Sequence, residues 1–241
     1  MVKDLENDNL YITRKRKLWK FAHFESYPNC FDFGHFIPRS DRPYDGDSLQ
    51  DAADTLQQVF KKQQPLVLEL AAGNAQFSLA LATLHPEQNF IAVDIKADRL
   101  YTSAKQALVE GIDNIIFVRL HISMIDHLIP GHSVDTVWLT FPDPRPKKGD
   151  RSQRLTHPHF LDRYQAILKS EGELYFKTDN KRLFDWSLEQ FDQCGWHQSQ
   201  ITRNLQRSNV ADEYKIMTQY EQKYHKNGDP IYFVRLSAHK K

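Results

Sequence analysis

The densest chemistry in the chain lies in Phe141-Pro142-Asp143-Pro144-Arg145-Pro146-Lys147-Lys148. Three prolines fix φ and stiffen the loop. Asp143 is held between two of them, which preorganises a carboxylate. Arg145, Lys147 and Lys148 follow at once, then Arg151 and Arg154. A rigid acid beside a basic strip suits a target that is anionic overall but offers N–H donors locally. A nucleobase within a polyphosphate chain has that character. The bland reading, a stiff solvent loop charged for solubility, does not explain why the segment directly follows an apolar strand-like run.

A second constellation is Glu69-Leu70-Ala71-Ala72-Gly73-Asn74, with Asp94 some twenty residues on. A strand-to-helix turn of this kind aims helix N-terminal amides at a ligand. The dinucleotide fingerprint is absent, since Ala71, Gly73 and Gln76 stand at its spacing, and this weakens a nicotinamide or flavin reading. Asp94 ends the next apolar run, where an acid accepts both hydroxyls of a ribose. The pattern points to a nucleoside-containing cofactor without a pyrophosphate, which fits S-adenosylmethionine.

These residues need a scaffold, and the hydrophobic periodicity supplies one. Apolar runs at 66–70, 90–94, 115–120, 134–140, 173–177 and 230–236 read as strands. Amphipathic stretches at 74–84, 98–110, 157–169 and 182–191 read as helices, with Gly111 as a C-terminal stop. Such alternation predicts right-handed βαβ units and a mostly parallel sheet. Ligands of these sheets lie beyond the carboxyl ends of the strands. Glu69 to Gly73, Asp94, His121, Phe141 to Lys148 and Thr178 to Asn180 all fall there. Residues 1–60 read as a basic arm with a lead-in helix over 48–62, and 61–241 as the main domain.

Composition narrows the class further. The chain has 241 residues, 32 Lys+Arg against 31 Asp+Glu, and a formal net charge of +1. That balance alone leans against a nucleic-acid partner. Its distribution does not: residues 14–20 and 145–154 together carry +9, so the remainder carries −8. Segregated charge of this kind predicts salt-sensitive binding of a polyanion. The two cysteines, Cys30 and Cys194, show no CxxC spacing, and the histidines show no HExxH, so neither a disulfide framework nor a metal site is expected. Ser78, Ser123 and Ser152 lack a nucleophile-elbow context. No apolar stretch approaches the ~20 residues of a membrane span. A cytoplasmic protein is the expectation.

The segments VLELAAG, NFIAVDI, TFPDPRPKKGDRSQRLT, HFLDRYQAILKSEGELYFKTDN and IMTQYEQKYHKNGDPIY resemble, in this order, the bacterial tRNA (guanine-N7)-methyltransferase family. They cover roughly residues 65–236, and RKRKLW near the start resembles that family's basic arm. The resemblance implies an α/β, Rossmann-like class I methyltransferase fold, with a seven-stranded mostly parallel sheet and helices on both faces. It implies that Glu69, Gly73, Asp94 and His121 hold S-adenosylmethionine and that Asp143 is catalytic. It places Lys147, Asp179, Thr218, Tyr220 and Glu221 on the substrate guanosine. Arg14, Arg16, Lys148, Arg151 and Arg154 are then expected to hold tRNA phosphates. The product is an N7-methylated variable-loop guanine in tRNA, formed by a monomer or homodimer without metal or membrane.

The chain departs from that family at three places. Ala71 and Ala75 stand where glycine is usual, His121 where aspartate is usual, and Arg145 where tryptophan is usual. Glycine at such a turn serves positive φ and close ligand approach. These changes leave a second expectation beside the first, a catalytically weak or inactive RNA-binding paralogue with an altered cofactor pocket. A small-molecule methyltransferase is a third, and it would not depend on the basic loop.

Overall fold

The structure is a computed structural model that describes residues 13–36, 46–218, 221–222 and 228–238, with side chains from residue 17 onward. Eight strands form one sheet in the order β1-β4-β3-β2-β5-β6-β8-β7. They are β1 (Cys30–Asp32), β2 (Leu66–Leu70), β3 (Asn89–Asp94), β4 (Ile115–Arg119), β5 (Val134–Thr140), β6 (Leu168–Thr178), β7 (Trp196–Thr202) and β8 (Tyr232–Ala238). Strands β1 to β6 pair in parallel, and β8 runs antiparallel between β6 and β7. The helices are α1 (Thr13–Ala22), α2 (Gly46–Gln58), α3 (Gln76–Leu84), α4 (Ala97–Glu110), α5 (Ile125–Leu128), α6 (Pro158–Ile167) and α7 (Lys181–Gln193).

The pleat explains the layering. Alternate residues of a strand face opposite sides. Leu68, Leu70, Ile91, Val93, Leu174 and Phe176 join one cluster with Leu56 of α2, Ile125 of α5, Leu161 of α6 and Phe184 of α7. Val67, Phe90, Ala92, Trp138 and Tyr175 join a second with Phe77 of α3 and Leu100 and Ala104 of α4. Both faces of the sheet are therefore covered, which is why its strands read as continuous apolar runs rather than alternating ones. Parity also places the polar residues. Glu69, Asp94 and Lys177 share the α3–α4 face with Val67, Ala92 and Tyr175.

The expected doubly wound α/β fold is the observed one, with three corrections. The sheet has eight strands, not seven, because Cys30–Asp32 adds β1 beside β4. Residues within the first sixty thus contribute a strand to the same sheet as the rest. The helix expected from 74 begins at Gln76, because Ala75 before it is left-handed (φ 55°). The helix expected to 169 ends at Ile167, where the chain turns extended into β6. Gly111 does stop α4, with φ 69°.

Candidate active site

The carboxyl ends of β2, β5 and β6 open onto a cavity of about 640 Å³. Among the described residues its lining includes Glu69, Ala71, Gly73, Asn74, Phe77, Arg99, Thr140, Phe141, Asp143, Asp179 and Thr218. Three acids face one base, Arg99.

The floor is built on Glu69, whose residue is only 1 % exposed. Its carboxylate accepts from Ser78 Oγ (2.6 Å), Ser78 N–H (3.2 Å) and Thr140 Oγ1. Burial pushes its pKa up, and the Ser78 and Thr140 bonds, with the nearby Lys177 charge, work against that rise. Glu69 therefore ties β2, α3 and β5 together beneath the cavity. Asp94 acts as a strap on the adjacent turn: its oxygens accept from Gly73 N–H (2.9 Å) and Lys96 N–H (2.8 Å). Each oxygen keeps a lone pair beyond these bonds. Burial raises its pKa above the usual carboxylate value, against the opposing pull of those two amides.

Backbone strain is concentrated here. Ala71 (φ 57°), Ala75 (φ 55°), Phe141 (φ 49°) and Arg145 (φ 43°) all occupy the left-handed region, as does Gly73 (φ 59°). Each non-glycine residue so held costs roughly 1–3 kcal/mol and persists only where its surroundings fix it. The turn after β2 keeps a glycine-like course despite its alanines. Their methyls differ in consequence. Ala71 lines the cavity, whereas Ala75 is fully buried in the α3–α4 core, outside the cavity lining. A Cβ added at Gly73 would meet no atom within 4 Å, so this rim of the cavity is open.

The proline loop presents Asp143 at the rim, its side chain 84 % exposed and 3.7 Å from Arg145 Nη2. Phe141 N–H donates to Lys177 O (2.9 Å), which anchors the loop to the end of β6. Asp179 lines the cavity, while Asn180 caps α7 by accepting from Leu183 N–H (2.9 Å). Thr218 also lines the cavity.

Other expected site residues fall elsewhere. Lys147, Lys148 and Arg151 are exposed beyond the rim. Arg154, expected on a phosphate, is only 8 % exposed. Its guanidinium donates to Arg145 O and stacks 4.4 Å from the Trp186 ring, so it braces the loop instead. His121 does not belong to the cavity lining. Its Nδ1 pairs with Ser123 Oγ (2.6 Å) and caps the short 3-10 turn after β4. Glu221 has a fully buried side chain held 3.4 Å from Lys177. Tyr220 and the side chains of Arg14 and Arg16 lie outside the described residues.

Sequence reasoning passed over Arg99, Phe77, Thr140 and Lys177. Thr140 was within reach, because it ends a strand on the same side as Glu69. Lys177 leaves a different trace, a lone charge inside the apolar run Leu-Tyr-Phe-Lys-Thr. No group of three or more potential metal ligands occurs among the described residues. No described helix is long and apolar enough to cross a membrane.

A doubly wound sheet with its last described strand inserted antiparallel, and a ligand cavity at the first strand turn beside an acid-ended neighbour, define a class I methyltransferase. Residues 63–234 match a family model described as putative methyltransferase. The chain is 34% identical over 223 residues to a tRNA (guanine-N(7)-)-methyltransferase of Bacteroides fragilis, covering 92% of this chain and 85% of that one. It is 39% identical over 177 residues to a protein of the same name from Lactobacillus gasseri, covering 73% and 81%. The chain belongs to the tRNA (guanine-N7)-methyltransferase family. Among solved structures, the 16S rRNA methyltransferase KamB superposes with TM-score 0.59 at 13% identity, covering 78% of this chain and 94% of that one. The 16S rRNA (adenine(1408)-N(1))-methyltransferase of Catenulisporales acidiphilia gives TM-score 0.55 at 16% identity, covering 83% and 95%. At such identities the likeness is one of fold.

Proposed function

We propose that this chain methylates N7 of a variable-loop guanine in tRNA, with S-adenosylmethionine as the methyl donor. The observation that carries the reading is the convergence of Asp143, Asp179 and Thr218 on the same cavity as the Gly73 turn. When bound, S-adenosylmethionine supplies an electrophilic methyl group on a sulfonium centre.

The residues present fit that molecule. The turn at Ala71–Asn74 keeps the left-handed geometry that close ligand approach needs. The lone pairs left on Asp94 suit ribose hydroxyls. The acidic lining suits a ligand with two cationic centres, and Arg99 suits its single carboxylate. Guanine N7 already carries a lone pair, so its methylation removes no proton and needs no general base. The protein's task is alignment, and proximity of this kind accounts for several kcal/mol of barrier lowering. Asp143 and Asp179 are placed to accept from guanine N1–H and the exocyclic amine, which orients N7. A stacked base leaves its stack to enter, at a cost of a few kcal/mol. Lys147 contacts the guanosine, Lys148 and Arg151 hold phosphates around it, and the basic arm with Arg14 and Arg16 extends that surface. We place the activity in the cytoplasm, where tRNA is found.

The test is transfer of a labelled methyl group to unmodified tRNA. Wild-type protein labels N7 of one variable-loop guanine. Asp143→Ala abolishes labelling and leaves the melting temperature unchanged, since the side chain is largely exposed. A fully active Asp143→Ala protein would overturn the role of that residue. Absence of cofactor binding in a calorimetric titration would overturn the enzymatic reading in favour of an RNA-binding relative.

A further inference from the structure

Lys177 stands where a lysine is costly. Its side chain and that of Glu221 are both 0 % exposed. Its Nζ donates to the carbonyl of Ile216 (3.1 Å) and lies 3.4 Å from Glu221 Oε2. The same ammonium lies 4.1 Å from the centroid of the Phe77 ring and 5.5 Å from that of Phe141. The backbone carbonyl of Lys177 receives the Phe141 N–H (2.9 Å). One residue thus touches α3, the start of the proline loop and the segment 216–221. Phe77, Phe141 and Thr218, which stand on those three elements, all line the cavity.

Stability is a poor reason for such a pair. Desolvation of two charges offsets much of their attraction, and apolar pairs of like volume commonly do as well or better. Burial indeed lowers the Lys177 pKa, against the attraction of Glu221 and Glu69. What a buried pair does supply is one arrangement out of many. Glu221 Oε2 also accepts the Thr218 N–H (2.6 Å), and the Glu221 N–H donates to Thr218 Oγ1 (3.1 Å). This reciprocal cap fixes Thr218 at the cavity wall. Glu221 Oε1 is buried and has no hydrogen-bond partner among the described residues.

We infer that Lys177 is a positioning residue for methyl transfer, acting through Glu221 and Phe141 to set the two walls between which the nucleobase enters. The inference rests on the tRNA-methyltransferase reading above. Lys177 itself touches neither reacting atom. It holds the 216–221 segment and the proline loop in register with each other.

Lys177→Met keeps the length and removes the charge. In that variant the affinity for S-adenosylmethionine, measured by calorimetry, stays within about twofold. The kcat on tRNA falls by about a hundredfold, because the lost interaction acts on alignment. Hydrogen exchange accelerates at the Phe141 and Thr218 amides and stays unchanged in β2. Lys177→Gln, which keeps a donor, falls between the two proteins in each readout. The inference is overturned if either folded variant retains wild-type kcat, or loses cofactor affinity in proportion to kcat. Failure of both variants to fold also overturns it, since Lys177 would then be a stability residue. The exchange measurement needs no activity. Wild-type protein that labels no tRNA therefore defeats the functional reading alone, and the coupling of Lys177 to the two walls is still decided.

Discussion

The guanidinium of Arg154 reaches back across the proline loop to the carbonyl of Arg145, with Nη2 at 3.0 Å and Nε at 3.3 Å. Arg145 is itself left-handed (φ 43°) and pairs with Asp143. One arginine thus holds the strained residue that orients the candidate catalytic acid. A conformation of this kind persists only under such restraint. Arg154→Ala should destabilise the fold by about 2 kcal/mol, through the lost charged hydrogen bonds and the Trp186 stack. It should also lower kcat on tRNA while leaving cofactor affinity intact. Urea unfolding and single-turnover labelling measure the two effects. An Arg154→Ala protein of unchanged kcat would show that the loop keeps its shape without the brace.

The two alanines of the first turn make a differential prediction. Relief of left-handed strain is worth about 1–2 kcal/mol, and glycine returns roughly 0.4–1 kcal/mol of it as unfolded-state entropy. Ala71→Gly should therefore stabilise the protein by about 0.5–1 kcal/mol. Ala75→Gly also gives up a fully buried methyl worth about 0.8 kcal/mol and should come out near zero. Equal shifts in urea midpoint for the two variants would contradict this account.

Much of the architecture was legible because most strands are buried on both faces and the helices between them are amphipathic. Strands β1 and β7 were not. β1 is three residues long and sits at an edge amid aromatic and proline-rich sequence. β7 reads Trp-His-Gln-Ser-Gln-Ile-Thr, an edge strand of mostly polar residues alternating between half-buried and exposed, with too few apolar residues for a hydrophobic pattern. At the site, two residues have partners too distant in sequence to be read from it. Arg154 read as a phosphate-binding cation because its stacking partner Trp186 lies 32 positions away and in another element. Lys177 went unread because its partner is 44 residues distant. Asp143 and Gly73 were legible because topology alone places strand ends at the ligand.

Stability should depend on pH through His121. Burial holds its pKa below the ordinary value of 6.5. Between the folded-state pKa and 6.5 the unfolded chain therefore binds more protons than the folded one, so stability falls as pH drops through that window and is level above it. Protonation also removes the Nδ1 acceptor that caps the turn at Ser123. His121→Asn keeps a capping oxygen and cannot titrate. The difference in unfolding free energy between wild type and variant should shift against the wild type below about pH 6.5. A pH-independent difference would remove His121 from the account.

Charge on the loop separates phosphate contacts from braces. Lys148 and Arg151 are exposed, so changing both to glutamine should flatten the plot of log affinity for tRNA against log salt by about 1.5–2 units of slope. Arg154→Gln should leave that slope nearly unchanged, because its guanidinium already faces Arg145 O and Trp186. Filter binding across a salt series distinguishes them. Equal losses of slope per residue would return Arg154 to the phosphate surface.

The insertion of β8 between β6 and β7 has a consequence for how the molecule comes into being. During synthesis β7 emerges with no sheet neighbour, and it gains one only when residues 232–238 have been made and threaded back beside β6. The segment that carries Glu221 lies just ahead of that strand, so docking of β8 also brings that segment to the wall beside Lys177. Such long-range pairing is slow, and an unpaired edge is open to association while it waits. A ribosome-bound chain halted before Tyr232 should hold a nearly complete sheet and no competent nucleobase slot. Maturation of the site is thereby coupled to the arrival of β8.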